Sequence, residues 1–172
     1  VLRNDGLSAL AIAATAGAQF IRVNVLSGAM VTDQGLIEGE AHDLHMYRRT
    51  LAAQSSVRIL ADVMVKHASP LGQDSDIGRA AVDTVKRGLA DGIIVSGTST
   101  GSAPNWDDLK AVRDALPDTP ILIGSGASID NCSALLKCAD GLIVASSLKR
   151  QGILENPIDV DRVRSLVKAV QG

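Results

Sequence analysis

Five times in succession, a short run of β-branched and aliphatic residues breaks off into glycine, serine or charged residues and is followed by a stretch with helical spacing. This alternation constrains the chain most, because strand and helix units in series build a parallel sheet covered by helices. The strands read as FIRVNVL (20–26), VRILADVMV (57–65), GIIVSG (92–97), ILIGSG (121–126) and GLIVASS (141–147). The helices read as 41–53, 75–89, a stretch holding Trp106, Leu109, Val112 and Leu116, then 129–137 and 160–170. Ahead of them, LSALAIAATAGA (7–18) is rich in good helix formers, stops at Gly17 and takes Asn4 or Asp5 as its cap. The opening residues VLRND read as the tail of a further strand.

Two architectures fit such a series, the closed barrel and the doubly wound open sheet. No G-x-G-x-x-G fingerprint follows a strand, which counts against the dinucleotide-binding version of the open sheet. The expected fold class is therefore α/β, a (β/α)8 TIM-barrel type. A closed barrel takes at least about 200 residues, whereas this chain has 172 and holds five complete units plus the end of a sixth. It reads as an N-terminally incomplete barrel and one partial domain over 1–172. The natural gene is expected to be longer, or a partner such as a second copy to close the barrel.

Composition narrows the partners. Hydrophobic residues make up 46% of the chain but aromatics only 2%, so the core has to come from Val, Ile, Leu and Ala, a palette suited to covered parallel strands. A net charge of −2 with no basic block argues against a nucleic-acid surface. No run approaches the roughly 20 apolar residues of a membrane span, so a cytoplasmic location is expected. Cys132 and Cys138 have neither disulfide nor metal-ligand spacing and read as reduced core thiols.

The chemistry concentrates where strands end. Gly124, Ser125 and Gly126 allow backbone N–H groups to approach a phosphate, Ser128 can cap the following helix, and the next strand ends in Ser146 and Ser147 with Lys149 as a charge partner. The last two strand-to-helix loops of a barrel commonly hold phosphate. The plainer reading is that small residues simply end strands here. Arg22 and Asn24 share one face of their strand, and a buried arginine needs an acid, for which Asp62 is available. That pair either only orders the core or makes Arg22 an anion clamp and Asp62 a base or metal ligand. Lys66 and His67 close the same strand, where a Schiff-base or phosphate-binding lysine and an acid–base histidine are chemically natural, although solvated loop residues are equally consistent. The catalytic candidates are thus Asp62, Lys66 and His67.

Weaker signals complete the set. Asp33 and Glu38 lie in the long polar connection 27–41 and are placed to fold over a ligand; Ser96, Thr98, Thr100 and Gly101 decorate another strand end. His42 and His45 superficially suggest a metal but fall on an outer helix, and Trp106 reads as a packing anchor. No cofactor is expected; a divalent metal is compatible with Asp62 but nothing else points to one. No Ser-His-Asp or Cys-His order stands out, which disfavours nucleophilic hydrolysis.

The strings FIRVNVLSGAMVTDQGLIEGEA, ADVMVKHASPL, VSGTSTG, ILIGSGAS and IVASSLKRQGILENPID resemble the BtpA family, which includes SgcQ-type proteins, over essentially the whole chain. The resemblance implies a barrel longer at its N-terminus, of which this chain matches the end of the third strand through the eighth unit. It also implies a role in photosystem I biogenesis or stabilisation in phototrophs, with peripheral attachment to the thylakoid membrane in a cyanobacterium. SgcQ-type members sit among sugar-metabolism genes, which implies instead an enzyme acting on a phosphorylated sugar or nucleoside-type molecule. Asn24, Asp62, Lys66, His67, Gly124, Ser125, Gly126 and Lys149 fall in the shared strings. One departure is Ala145, where the family pattern has glycine, which is expected to limit how closely that backbone approaches a phosphate. Both function classes, metabolic site and assembly factor, stand at this point.

Overall fold

The computed structural model describes residues 4–33, 35–64, 68–72, 76–97 and 102–171. In chain order its elements are α1 (Gly6–Ala16), β1 (Phe20–Val23), β2 (Ala29–Thr32), β3 (Gly35–Glu38), α2 (Ala41–Thr50), β4 (Arg58–Val63), β5 (Ala68–Pro70), α3 (Ile77–Lys86), β6 (Gly92–Val95), α4 (Trp106–Ala115), β7 (Ile121–Ile123), α5 (Cys132–Leu135), β8 (Gly141–Leu142) and α6 (Val160–Gln171). The main sheet runs β1-β4-β6-β7-β8 with every pair parallel, so sequence order and spatial order coincide. All five strand C-termini therefore reach the same end of the sheet.

One face of that sheet packs on the helices. Ile59, Ile93, Val95, Ile121 and Ile123 meet Leu10, Leu44, Leu109, Val112 and Leu135 there, all essentially without exposed surface. Burying each large aliphatic side chain in such a layer contributes about 1.5–3 kcal/mol. The opposite face carries Leu60 and Ile94 but also Arg22 and Asp62, so here the sheet turns charge inward.

The N-terminal end of the sheet is stitched by a repeated tripeptide, Ala-Asp-Gly, at 90–92 and again at 139–141. Asp91 Oδ2 accepts the Ile59 N–H at 2.8 Å and Asp140 Oδ2 accepts the Ile121 N–H at 2.8 Å, so each ties its own strand to the start of a neighbouring one. Each also takes arginine: Arg48 at 3.0 Å and Arg58 at 3.3 Å on Asp91, Arg113 at 2.6 Å on Asp140. The Asp140 carboxyl is held below its usual range, first by the Ile121 N–H and then by Arg113.

Several expectations are corrected. The long connection 27–41 is not an open loop: β2 and β3 form an antiparallel hairpin, and β5 pairs with β2 on the other side. AMVT and GLIE each have strand character, and left-handed Gly28 and Gly35 supply the bends that the pairing requires. The hairpin lies inside one connection, and successive strands of the main sheet stay parallel. Of the two cap candidates for α1, Asp5 is the one that accepts the Ser8 N–H, as the sequence allowed, while Asn4 clamps the N–H and carbonyl of Val25 just beyond β1. The helix expected over 129–137 shrinks to four residues because the Asn131 side chain accepts from Ser128 N–H and donates to Gly126 O, holding the preceding stretch as a turn. Strand β8 ends at Leu142, and the chain leaves extended geometry at Ala145 for two 3-10 turns, 146–148 and 150–152. Trp106 is 49% exposed at the start of α4, so Leu109 and Val112 do the anchoring instead.

Cys132 is buried and Cys138 partly buried, both as free thiols. Among the described residues no helix is long and apolar enough to cross a membrane.

Candidate functional site

Where the strand C-termini converge, Asp62 near the end of β4 organises its neighbours. Its Oδ1 accepts from Arg22 Nη2 at 2.7 Å and from Ser96 Oγ at 3.4 Å; its Oδ2 accepts from Arg22 Nε at 2.8 Å and from Asn24 Nδ2 at 2.9 Å. Two carboxylate oxygens offer about four lone-pair directions, so this carboxylate is saturated. Its side chain has no exposed surface, while Arg22 keeps 32%. The Asp62 bond raises the Arg22 pKa further, against the opposing effect of burial, so the guanidinium is a permanent cation. With Nε and Nη2 committed to Asp62, the face available to a ligand is that of Arg22, and Asp62 fixes its direction.

The glycines work differently from the sequence expectation. Gly124 donates its N–H to Val95 O at 2.8 Å, within the sheet's own bonding. Its value is the absence of a β-carbon, which would sit against Ser96 Oγ, 2.6 Å from Ile94 Cγ2 and 3.1 Å from Arg22 Nη2. Gly126 has φ +73°, and a β-carbon there would collide with the backbone of Ser102 and Ala103. Ser125 is buried and serves as a staple, its Oγ accepting from Gly97 N–H at 3.0 Å and donating to Ser102 O at 3.0 Å. The loop after β6 is thereby pinned onto the turn after β7.

That turn is in turn pinned to the one after β8, because Ser147 Oγ donates to Ala127 O at 2.8 Å. Among the described residues, the backbone N–H groups of Gly126, Ala127, Ser146 and Ser147 donate to no other group. Two adjacent turns thus present unspent donors, and Ser146 opens the 3-10 turn 146–148. Lys149 follows directly, half-buried, and Arg162 from α6 reaches back to donate to Ser147 O at 3.1 Å. Sequence reading named Lys149 but missed Arg162 and Asn131, since neither stands near a strand end in the chain. Ala145 has φ −135° and ψ −73°, a negative φ outside the left-handed region that would call for glycine.

A cleft of about 580 Å3 opens beside the Asp62 cluster. Its floor holds Asn24, Asp62 and Met64; Met30 and Pro70 of the small sheet roof it; Arg79, Ala80 and Asp83 of α3, with Arg87 just past its end, form one wall. His42 lies on its rim, and His45 is bonded to Gly88 O at 2.9 Å. Glu38 is exposed at the end of β3, and its carbonyl accepts from Asn4 at 3.4 Å. Lys66, His67, Thr98, Thr100 and Gly101 lie outside the described residues. No group of three or more His, Cys, Asp or Glu suited to a metal stands together among the described residues.

Comparison with known proteins places the chain. It matches the model of the BtpA family over residues 1–172. It is 58% identical over 170 residues to the photosystem I biogenesis protein BtpA of Synechocystis sp., covering 99% of this chain and 58% of that protein. It is 49% identical over 168 residues to an uncharacterised protein of Thermococcus kodakarensis, covering 98% of this chain and 62% of the other. The chain thus spans about three fifths of the length of these curated relatives. In structure it is similar to phosphoribosyl anthranilate isomerase from Thermus thermophilus, with TM-score 0.59 at 13% identity over 98% of this chain and 69% of that one. The corresponding enzyme from Pyrococcus furiosus gives TM-score 0.56 at 17% identity over 96% and 68%. These neighbours are TIM barrels, and the five-stranded parallel sheet is an arc of that barrel type. The chain belongs to the BtpA family.

Proposed function

We propose that the strand C-terminal end of this barrel binds a phosphorylated small molecule, with the phosphate at the turns 126–127 and 146–147 and Arg22 facing the rest of the ligand. The observation that carries this reading is the pair of stitched turns whose four backbone N–H groups are unspent among the described residues, with Lys149 two positions beyond Ser147. Oriented N–H groups in adjacent turns form an anion-binding concavity, and the last two loops of a barrel are its usual place. Asp62, with every lone pair occupied, acts by aiming Arg22, while Lys66 and His67 are assigned the proton-handling roles.

The test is a melting experiment with ribose 5-phosphate and inorganic phosphate. A ligand at about a hundred times its Kd stabilises by about 2.7 kcal/mol, which moves Tm by roughly 5–10 °C in a chain of this size. The shift is expected to shrink in Lys149→Ala. Flat melting curves with every phosphorylated compound would remove the reading.

A second reading, a role in photosystem I biogenesis, is favoured by the 58% identity to the Synechocystis protein of that name. Asp62→Asn introduced into a phototrophic host separates the two. Lower reaction-centre levels from a folded variant would tie biogenesis to this site, and unchanged levels would assign it to the outer surface.

A further inference from the structure

The stitched turns and the cleft lie on opposite sides of the strand C-termini, since the turns follow β7 and β8 whereas the cleft floor belongs to β1 and β4. Neighbouring strands sit about 4.8 Å apart, so with β6 between β4 and β7 the nearest edges of the two places are on the order of 10 Å apart. A ligand anchored by phosphate at the turns has to extend past a bare sugar to enter the cleft.

Three chemical zones lie along that path. The turns offer N–H donors. The middle offers Arg22, whose Nε and Nη2 alone are committed to Asp62, and Asn24, whose Nδ2 goes to Asp62; these suit hydroxyl groups. The cleft offers the thioether of Met30, the ring of Pro70 and the small face of Ala80, with Asp83 on the same α3 wall and Arg87 at that helix's end. Methionine makes favourable contacts with aromatic rings, and the 580 Å3 volume falls in the range of small-molecule sites.

We infer that the ligand is nucleotide-like: a phosphate joined through a hydroxyl-bearing pentose to a flat ring, with the ring under the small sheet between Met30, Pro70 and Ala80. This rests on the phosphate reading above and adds what the other end of the molecule is. Asp83 and Arg87 supply polar partners for the ring edge, and the apolar roof and wall take its faces.

The experiment compares ribose 5-phosphate with a panel of purine and pyrimidine nucleoside 5′-monophosphates by titration calorimetry, in the parent protein, Ala80→Phe and Met30→Gln. Ala80→Phe fills the cleft, and Met30→Gln removes the thioether without adding bulk, so a folding failure of one leaves the other informative. At least one monophosphate is expected to bind ten-fold or more tighter than ribose 5-phosphate. Both variants should erase that advantage and leave ribose 5-phosphate binding unchanged. If ribose 5-phosphate binds and no monophosphate improves on it, or if the advantage survives both variants, the inference is overturned and the phosphate reading stands. If nothing phosphorylated binds, both fall.

Discussion

Two arginine–aspartate pairs at opposite ends of one sheet serve different ends. At the N-terminal end, Asp140 binds Arg113 but spends the same oxygen on the Ile121 backbone N–H, and its side chain is 55% exposed. At the C-terminal end, Asp62 binds only side chains, those of Arg22, Asn24 and Ser96, and is fully enclosed. The first arrangement satisfies a backbone donor at a strand start, as any sheet must. The second satisfies nothing that the sheet itself requires, and enclosing a charge pair costs desolvation that an apolar pair would avoid. A feature that adds cost without serving the ladder is where function is expected, and a barrel puts its chemistry at that same end.

The largest expected effect tests that contrast directly. Asp62→Ala strands the Arg22 guanidinium against Ile94 and Gly124 and should cost about 3 kcal/mol in urea unfolding, toward the low side for a broken buried pair because Arg22 keeps some solvent contact. The double replacement Arg22→Met with Asp62→Leu should recover most of that stability and lose phosphate-ligand binding. Intact binding in the folded double variant would show the pair to be a strut.

Next in size is Gly126→Ala. The left-handed backbone costs about 1 kcal/mol with a β-carbon, and the clash with the 102–103 backbone adds to it, for a total of about 2 kcal/mol. Because Ser125 holds that loop against the same turn, ligand binding should weaken together with stability. Gly124→Ala, pressed against movable side chains, should be milder in urea but should displace Arg22.

The smallest effect belongs to the other end of the sheet. Asp140→Asn should cost about 1 kcal/mol, discounted for exposure, and leave ligand binding untouched. Since the folded-state pKa of Asp140 is depressed, its stabilisation is fully present above the ordinary carboxylate value near 4 and is lost as pH falls through the lower folded value. Acid unfolding of the asparagine variant should therefore be flatter below about pH 4. An identical acid limb in the two proteins would contradict the assigned role. Arg22 offers no such handle, since its raised pKa lies beyond any folding titration.

Much of the site was legible residue by residue. Arg22 alternating with Asn24, and Asp62 alone inside an apolar strand, announced a pairing that the fold then made. The mode of action of the glycines was not legible: spacing suggests exposed N–H groups at Gly124, whereas neighbouring strands consume that N–H and need the empty space instead. The Ala-Asp-Gly repeat was in plain view, but its meaning depends on which strand start each aspartate faces. The hairpin 29–38 reads as loop in the sequence because its strands are four residues each and are completed by β5, more than thirty positions later.

What the sequence determined alone is the parallel strand order and the helix-facing core. Both follow from periodicity and short-range connection, because a strand followed by a helix leaves few places for the next strand to go. What only the tertiary structure decided is which polar atoms are spent. Asp62 is saturated, Ser125 and Ser147 are staples, and the donors at 126–127 and 146–147 meet no partner among the described residues, since hydrogen-bond partners are settled by contacts between segments far apart in the chain.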